Sequence, residues 1–275
     1  MPYRGAGEHY KGRPGGTEEP HYAERSAQEM GNAIITGGSR GIGEAMTMKL
    51  GEMGYNVVIN YRSDSSKALT EALIQRLQEQ YGVKGWAVQA DVSKYEDCER
   101  LVKAAADYFD GQIDVLVNNA GITNNAPWCD LTREQYMAVL ETNLISAFHM
   151  CHFVVPYMVK AGGGCVVSTS SIGGLMGVAN QADYCASKAG LIGMTRALAM
   201  EFGKQGIRFN CICPGMIWTD MLRGVNQDEV AALKQGIPMG EIGDVEDIAL
   251  ALEFLIRDKY MTGQYVSPNG GIYMP

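Results

Sequence analysis

A short apolar stretch at residues 32–36 runs directly into a glycine-rich turn, and a helical pattern then continues to about residue 54. Gly37 allows a tight turn, Gly41 lets a ligand approach the backbone, and Gly43 permits close packing of the helix. The three glycines are spaced as Gly-x-x-x-Gly-x-Gly. This differs from Gly-x-Gly-x-x-Gly, the common spacing in dinucleotide-binding turns. Because the amides of a helix N-terminus bind anions, this strand, turn and helix predict an α/β fold with a phosphate site for a dinucleotide.

Six further apolar stretches are typical of strands, and helical patterns separate most of them. The predicted strands lie at residues 56–61, 86–90, 113–117, 165–171, 207–212 and 263–266. Helices are predicted at about residues 65–81, 94–109, 132–160 and 245–256, and another carries residues 184–188. This alternation implies a parallel sheet with right-handed crossovers.

The second strand ends in Tyr61 and Arg62, where NAD-binding proteins usually carry an Asp or Glu for the ribose hydroxyls. No carboxylate is there to repel a phosphate, and Arg62 together with Arg40 can bind a ribose phosphate. We therefore expect NADP(H) as the cofactor. NAD(H) is the alternative, because Arg62 can equally be a solvated loop cation. Asp91, at the end of the third strand, is well placed to reach the adenine ring.

One predicted helix carries Tyr184 and Lys188 four residues apart, which places both on one helix face. A phenol loses its proton near pH ~10, and a nearby cation lowers that pKa. Such a tyrosine can exchange a proton with an alcohol or a carbonyl near neutral pH. The alternative is an ordinary exposed pair on a helix. Ser171 lies one strand-to-helix turn upstream, and its hydroxyl can then sit beside that of the tyrosine, which favours catalysis.

Composition excludes several other classes of function. The net charge of −8 over 275 residues argues against a nucleic-acid-binding surface. Seven scattered cysteines suit reduced thiols in the cytoplasm better than a disulfide framework. Cys211 and Cys213 have no second Cys/His cluster, so we predict no metal site. No continuous apolar run reaches the ~18 residues of a membrane span, and we therefore expect a cytoplasmic protein without membrane contact.

Residues 1–30 differ in composition from everything that follows. They contain five glycines, three prolines and little aliphatic content, which predicts a disordered tail or a cloning remnant. Five Tyr and His side chains favour the alternative that this segment docks on a neighbouring subunit or near a substrate entrance. We predict an N-terminal extension at 1–30 and one domain at 31–275.

Several of these motifs occur together, in one order and spacing. They are Thr36-Gly37-x-x-x-Gly41-x-Gly43, Asn118-Asn119-Ala120-Gly121, Asn143, Ser171, Tyr184-x-x-x-Lys188 and Pro214-Gly215. In this set the chain resembles the short-chain dehydrogenase/reductase family from residue 33 to its end. The resemblance implies a single α/β domain, a Rossmann-type three-layer sandwich with a seven-stranded parallel sheet. It also implies assembly as a homotetramer or a dimer.

The resemblance further implies roles for individual residues in hydride transfer between NAD(P)(H) and a ketone or secondary alcohol. Tyr184 would exchange the proton, and Ser171 would hold the carbonyl oxygen. Lys188 would bind the nicotinamide ribose and lower the pKa of the tyrosine, and Asn143 would anchor a water. The implied cofactor-binding residues follow the strand ends: Gly37, Ser39, Arg40, Gly41, Ile42, Gly43, Tyr61, Arg62, Asp91, Val92, Asn119, Ala120, Gly121, Tyr184, Lys188, Pro214, Gly215, Ile217 and Thr219.

The C-terminal half looks closest to 3-oxoacyl-[acyl-carrier-protein] reductases and acetoacetyl-CoA reductases. Enzymes that meet an acidic carrier use basic residues, whereas the corresponding places here hold Gly162 and Gln205, with Lys160 and Lys204 beside them. The acidic net charge also disfavours a carrier protein.

A methionine-rich segment after the sixth strand favours a different substrate. Besides Ser171 and Tyr184, we expect Met176, Met216, Trp218 and Met221 to line a broad apolar pocket under a lid. This resembles the bacterial hydroxysteroid dehydrogenases of the family, so we favour a bulky apolar ketone, as in a 20β-hydroxysteroid dehydrogenase. The alternatives are a 3-oxoacyl-[acyl-carrier-protein] or acetoacetyl-CoA reductase, a lid that is simple packing, and a non-catalytic NADP-binding protein.

Overall fold

The computed structural model of the chain describes residues 31–219 and 227–275. The predicted extension at 1–30 and the expected substrate residue Met221 lie outside the described residues. Strands and α-helices alternate along most of the chain. In chain order they are β1 (Asn32–Ile35), α1 (Gly41–Glu52), β2 (Asn56–Tyr61), α2 (Lys67–Tyr81), β3 (Gly85–Gln89), α3 (Tyr95–Tyr108), β4 (Val115–Asn118), α4 (Arg133–Leu140), α5 (Ser146–Ala161), β5 (Gly164–Thr169), α6 (Ala182–Phe202), β6 (Ile207–Ile212), α7 (Gln227–Gln235), α8 (Val245–Arg257) and β7 (Tyr265–Val266).

The seven strands form one sheet in the order β3-β2-β1-β4-β5-β6-β7, and every pair is parallel. Ile34 of β1 lies opposite Val58 on one side and Leu116 on the other. The strand order reverses direction between β1 and β4, which opens a crevice at the carboxyl ends of the strands. This confirms the predicted Rossmann-type fold, and proteins with such sheets generally bind ligands at that edge.

Buried side chains form a cluster on each face of the sheet, so the domain has three layers. One cluster includes Leu101 of α3, Met150 of α5 and Phe209 of β6. The other includes Leu50 of α1 and Leu252 of α8. A parallel strand covered on both faces needs apolar residues at successive positions, which explains why the strand sequences are nearly continuous apolar runs.

The predicted elements differ from the structure mainly at their ends. The fifth predicted strand extends to Ser171, but β5 ends at Thr169 and Ser171 starts a 3-10 turn at Ile172–Gly174. The long predicted helix contains a π-helical turn at Glu141–Ile145 between α4 and α5. The helix α7 was not predicted, although Lys234 in its last turn and Gly236 just after it are helix-end signals.

The continuous helical stretch Arg133–Ala161 is long and apolar enough to cross a membrane, with a mean hydropathy of 1.3 over its most apolar window. Half of that window is buried inside the protein. The apolar-run criterion of the sequence analysis did not detect this stretch. It is weak evidence for a membrane span, because the core helix of a globular domain passes the same test.

Candidate active site

The glycine turn between β1 and α1 has the backbone geometry of an anion site. Gly37 has φ +62°, and a side chain on Gly43 would come within 2.1 Å of the Gly37 carbonyl oxygen. Arg40, the N-cap of α1, makes no side-chain capping hydrogen bond. The first-turn amides of α1 therefore meet no capping side chain, and this fits the pyrophosphate of a dinucleotide.

The Thr36 side chain ties this turn to the end of β4. Its Oγ1 accepts hydrogen bonds from the backbone amides of Asn119 at 3.0 Å and Ala120 at 3.1 Å. In return Asn119 Nδ2 donates to the carbonyls of Thr36 at 3.2 Å and Gly37 at 3.0 Å. The Asn119 side chain therefore fixes the backbone of the glycine turn. The site list from the sequence did not include Thr36, although it stands in the glycine motif.

Two arginines follow the glycine turn and strand β2 at the carboxyl edge of the sheet. Arg40 and Arg62 are exposed, and neither forms an ion pair within residues 31–219 and 227–275. Gln89 Nε2 donates to Asp64 Oδ1 at 3.0 Å and to the Arg62 carbonyl at 3.3 Å. A carboxylate thus stands two residues beyond Arg62, although the sequence analysis expected none at the strand end.

Four other predicted cofactor residues stand at the ends of β2 and β3 and in the glycine turn. Tyr61 and Val92 are buried, and Ser39 is buried at the glycine turn. Asp91 is half-buried, and its Oδ1 accepts from the Ser93 amide at 3.2 Å and hydroxyl at 2.7 Å. The Asp91 carboxylate is therefore partly engaged within its own turn.

The helix α6 places Tyr184 and Lys188 on one face, as predicted. The Lys188 ammonium lies 5.6 Å from the centroid of the Tyr184 ring and donates a hydrogen bond to the Thr169 carbonyl at 2.7 Å. Ser171 Oγ accepts from the Gly173 amide at 3.0 Å. A side chain on Gly173 would lie 3.3 Å from the Tyr184 ring and 3.5 Å from Ser171 Oγ, so Ser171 and Tyr184 come together around this glycine.

Burial dominates the ionisation of this pair. Burial raises the pKa of Tyr184, and hydrogen bonding to Ser171 offsets only part of that effect. Burial also lowers the pKa of Lys188 to about 8. The expectation that Lys188 lowers the pKa of the tyrosine is therefore wrong for this structure. The physical reason is that burial removes solvation from the phenolate, and what offsets part of that loss is the hydrogen bond with Ser171 rather than the ammonium, which lies over the ring and bonds to Thr169.

Asn143 lies in the π-helical turn and is buried. Its Oδ1 accepts from the Ile122 amide at 2.8 Å, and its Nδ2 donates to the Ile122 carbonyl at 2.9 Å and to Ser187 Oγ at 3.2 Å. A side chain on Gly121 would lie 3.3 Å from Lys188 Nζ and 3.4 Å from Asn143 Oδ1. The turn after β4 thus packs on both residues, while the water expected at Asn143 stays a prediction.

The segment after β6 borders the glycine turn. Thr219 lies beside Gly41, where an added side chain would meet the threonine methyl at 3.7 Å. Ile217 is buried, and its neighbour Met216 accepts a hydrogen bond from the Gly243 amide at 3.0 Å. Met176 and Trp218 are both exposed, at 39% of their surface. The described part of the expected lid is therefore partly core and partly surface.

The remaining predicted residues lie at the same edge of the sheet. Pro214 is buried, and its carbonyl accepts from the Ile172 amide at 3.0 Å. The Gly215 amide donates to the Pro268 carbonyl at 2.9 Å, and Ile42 is half-buried in the first turn of α1.

All seven cysteines are free thiols. In the described part of the chain, no group of three His, Cys, Asp or Glu side chains could hold a metal ion.

Known proteins are similar to this chain over most of its length. A family model described as enoyl-(acyl carrier protein) reductase matches residues 37–273. The 3-oxoacyl-[acyl-carrier-protein] reductase FabG of Staphylococcus epidermidis is 38% identical over 245 residues, which cover 88% of this chain and 99% of the relative. The FabG protein of Chlamydia muridarum, with the same description, is 41% identical over 244 residues, or 87% of this chain and 96% of the relative. The family match therefore spans β2 to β7 and the helices between them.

The buried Lys188 predicts a pH-dependent stability. The pKa of Lys188 is about 8 in the folded chain, whereas an unperturbed lysine, as in the unfolded chain, has a pKa of 10.5. Below pH 8 the lysine must therefore be charged while buried, which destabilises the fold. This penalty is lost as pH rises through 8 towards 10.5. Relative to Lys188→Met, we expect the wild-type free energy of unfolding to rise by roughly 2 kcal/mol between pH 7 and pH 10. Urea unfolding at both pH values measures it, and a constant difference between the two proteins would contradict it.

Proposed function

The chain belongs to the short-chain dehydrogenase/reductase family, and from this premise we propose that it reduces the ketone of a 3-oxoacyl thioester. As a member, it is an oxidoreductase that uses a nicotinamide dinucleotide and acts on ketone or CH–OH groups. The proposed product is the 3-hydroxyacyl thioester. The relatives' description as 3-oxoacyl-[acyl-carrier-protein] reductases, over 87–88% of this chain, carries the proposal.

The comparisons favour this alternative over the hydroxysteroid interpretation. The latter depended on Met176, Met216, Trp218 and Met221, and an apolar side chain near a crevice has no fixed substrate. A 3-oxoacyl chain is itself apolar beyond the thioester, so the same side chains suit it. The acyl group can be carried by a protein or by coenzyme A. Gly162 and Gln205 concern only this choice, because they stand where enzymes that meet an acidic carrier protein use basic residues.

The ionisation of Tyr184 supports reduction. Because burial raises the pKa of Tyr184, its phenol stays protonated at neutral pH and can donate its proton to a carbonyl oxygen. Ser171 Oγ accepts from the Gly173 amide, so its own hydroxyl is the donor that faces Tyr184, and it can hydrogen-bond the same carbonyl oxygen when a substrate is bound. We assign to both hydroxyls the stabilisation of the negative charge that develops there.

The other predicted residues would bind and orient. A nicotinamide dinucleotide, when bound, supplies the hydride. We assign Lys188 to the ribose next to the nicotinamide, because its ammonium lies at the turn formed by Gly121. We assign Asn143 to fixing that turn through Ile122. The glycine turn and the first-turn amides of α1 would hold the pyrophosphate.

Replacement of the two hydroxyl residues tests the catalytic assignment. We expect Tyr184→Phe to lower kcat for acetoacetyl-CoA reduction by about 10²- to 10⁴-fold, because the proton donor is lost. We expect Ser171→Ala to lower it by about 10²-fold. Absorbance of NADPH measures both, and Tyr260→Phe, which changes an exposed tyrosine, is the control.

A Tyr184→Phe protein that keeps more than about a tenth of wild-type activity would contradict this assignment. A wild-type protein that binds NADPH but reduces neither the thioester nor a steroid ketone would instead favour the non-catalytic NADP-binding interpretation. A steroid ketone reduced faster than the thioester would overturn the choice of substrate.

We propose NADPH as the preferred cofactor because Arg40 and Arg62 are exposed at the adenosine end and carry no ion pair within the described chain. Replacement of either by Ala removes a charge-assisted bond, so we expect the KM for NADPH to rise by about tenfold or more. The KM for NADH should change less than twofold. Arg133→Ala, at an exposed arginine of α4, is the matched control. Equal effects on both cofactors would contradict the assignment.

We also propose a homotetramer, with a dimer as the alternative, in the cytoplasm. Exposed apolar side chains on α5 (Phe148, Val159) and α8 (Leu250, Phe254) support assembly, and seven free thiols support a reducing compartment. Light scattering measures the assembly, and a monomer would contradict it. Cell fractionation tests the location, and recovery with the membranes would contradict it.

The extension at 1–30 ahead of a domain at 31–275 stays a proposal, and a chain starting at Gly31 tests it. We expect this chain to fold and to show altered assembly or altered KM, because the aromatic residues of the extension would contact a neighbouring subunit or the substrate entrance. Light scattering and steady-state kinetics provide the comparison with the full chain. Unchanged assembly and kinetics would contradict the contact, and failure to fold would contradict the boundary.

A further inference from the structure

Asp183 is a buried carboxylate in the first turn of α6, directly before Tyr184. Only 4% of its surface is exposed, and it forms no ion pair with the described cations. Its Oδ1 accepts from the Tyr184 backbone amide at 2.8 Å, and its Oδ2 accepts from Asn124 Nδ2 at 3.3 Å. A buried charge without a counter-ion is unfavourable unless donors surround it, so its place at the start of this helix calls for an explanation.

Asn124 connects that carboxylate to two other segments. It lies in the loop between β4 and α4, and the same Nδ2 donates to the Gln135 carbonyl of α4 at 3.0 Å. Both neighbours are acceptors, so only one orientation of the Asn124 amide fits. This one amide therefore joins the loop after β4, the start of α4 and the start of α6.

An Asn at position 183 could not replace the Asp. Both groups that face the side chain of residue 183 are donors, namely the Tyr184 amide and Asn124 Nδ2. A carboxylate offers two acceptors, whereas an amide would turn its NH₂ group towards one of the two donors. The charge thus provides a hydrogen-bonding pattern that a neutral residue of the same size lacks.

The loop after β4 and the helix α6 are also joined at a second place, about one helical turn further along α6. Asn143 bonds Ile122 of the loop and Ser187 of α6, and Ser187 Oγ donates to the Tyr184 carbonyl at 2.7 Å. The backbone of Tyr184 is therefore held at its amide by Asp183 and at its carbonyl by Ser187. These contacts fix the direction in which the tyrosine leaves the helix.

We propose that Asp183 and Asn124 are positioning residues that hold the first turn of α6 so that the Tyr184 hydroxyl meets Ser171. The inference rests on the proposed catalytic role of Tyr184. Both residues would act through the backbone of α6 and not through a contact with the substrate. A small rotation of this first turn would move the phenol away from the reacting oxygen, and displacements of about 1 Å can lower rates by about 10²-fold.

The test compares Asp183→Asn, Asn124→Ala and the double variant with wild type in NADPH-dependent acetoacetyl-CoA reduction. We expect each single change to lower kcat by about 10- to 100-fold while KM for both substrates stays within about threefold. The double variant should be no worse than the worse single variant, because both changes break one connection. Asn125→Ala is the matched control, because Asn125 accepts from Gln181 Nε2 in an exposed bond next door. It should keep kcat within about twofold.

Three outcomes would overturn the inference. A kcat within about twofold of wild type for both single variants would do so, as would an equal loss in Asn125→Ala or a loss confined to KM. Circular dichroism confirms that each protein is folded, and Asn124→Ala decides the matter if Asp183→Asn does not fold. If Tyr184→Phe is inactive while these variants are fully active, only this inference fails. If Tyr184→Phe is active, the proposed function fails and the inference fails with it.

Discussion

The hydrogen bonds between Thr36 and Asn119 hold together the two sides of the crevice around which the site is built. They join the ends of β1 and β4, the two strands between which the sheet order reverses. The Asn119 amide also fixes the Gly37 carbonyl, against which Gly43 packs too closely for any side chain. The start of α1, the glycine turn and the turn carrying Gly121 therefore hold one relative position. The proposed phosphate site and the proposed proton-transfer site are thus joined by a few polar contacts.

Burial at this edge of the sheet acts in opposite directions on the two ionisable groups. It raises the pKa of Tyr184 and lowers the pKa of Lys188 to about 8, because both charged forms lose solvation. At neutral pH the phenol is then protonated, and the amine is still mostly an ammonium. A group that donates a proton to a ketone needs the first property. A group that binds ribose hydroxyls needs a donor, which the second property provides.

The fold could be predicted from the sequence to within a few residues, because buried parallel strands require continuous apolar runs. The limits of β2 and β6 agree with the pattern, since Val, Ile or Phe occupies half of the positions in each strand. The pairing of Tyr184 with Lys188 and the nearness of Ser171 also follow from spacing along a helix and across one turn. The direction of the Tyr184 pKa does not, because it depends on how much solvent the surrounding segments exclude. The contacts of Asp64 and Asp183 could not be predicted, because their partners, Gln89 and Asn124, are distant in sequence.

The choice of substrate shows where side-chain chemistry stops being informative. Met176 and Trp218 are equally exposed, so neither forms the closed apolar pocket that would select a rigid ring system. The polar groups at the reacting end, by contrast, are fixed by bonds to the backbone: Ser171 by Gly173, Lys188 by Thr169 and Asn143 by Ile122. Such an arrangement defines the proposed reaction, a proton donated to a carbonyl oxygen, more tightly than it defines what is attached to that carbonyl. The proposed acyl thioester would need only the first kind of precision, because its chain would extend from the reacting carbon as a flexible apolar tail.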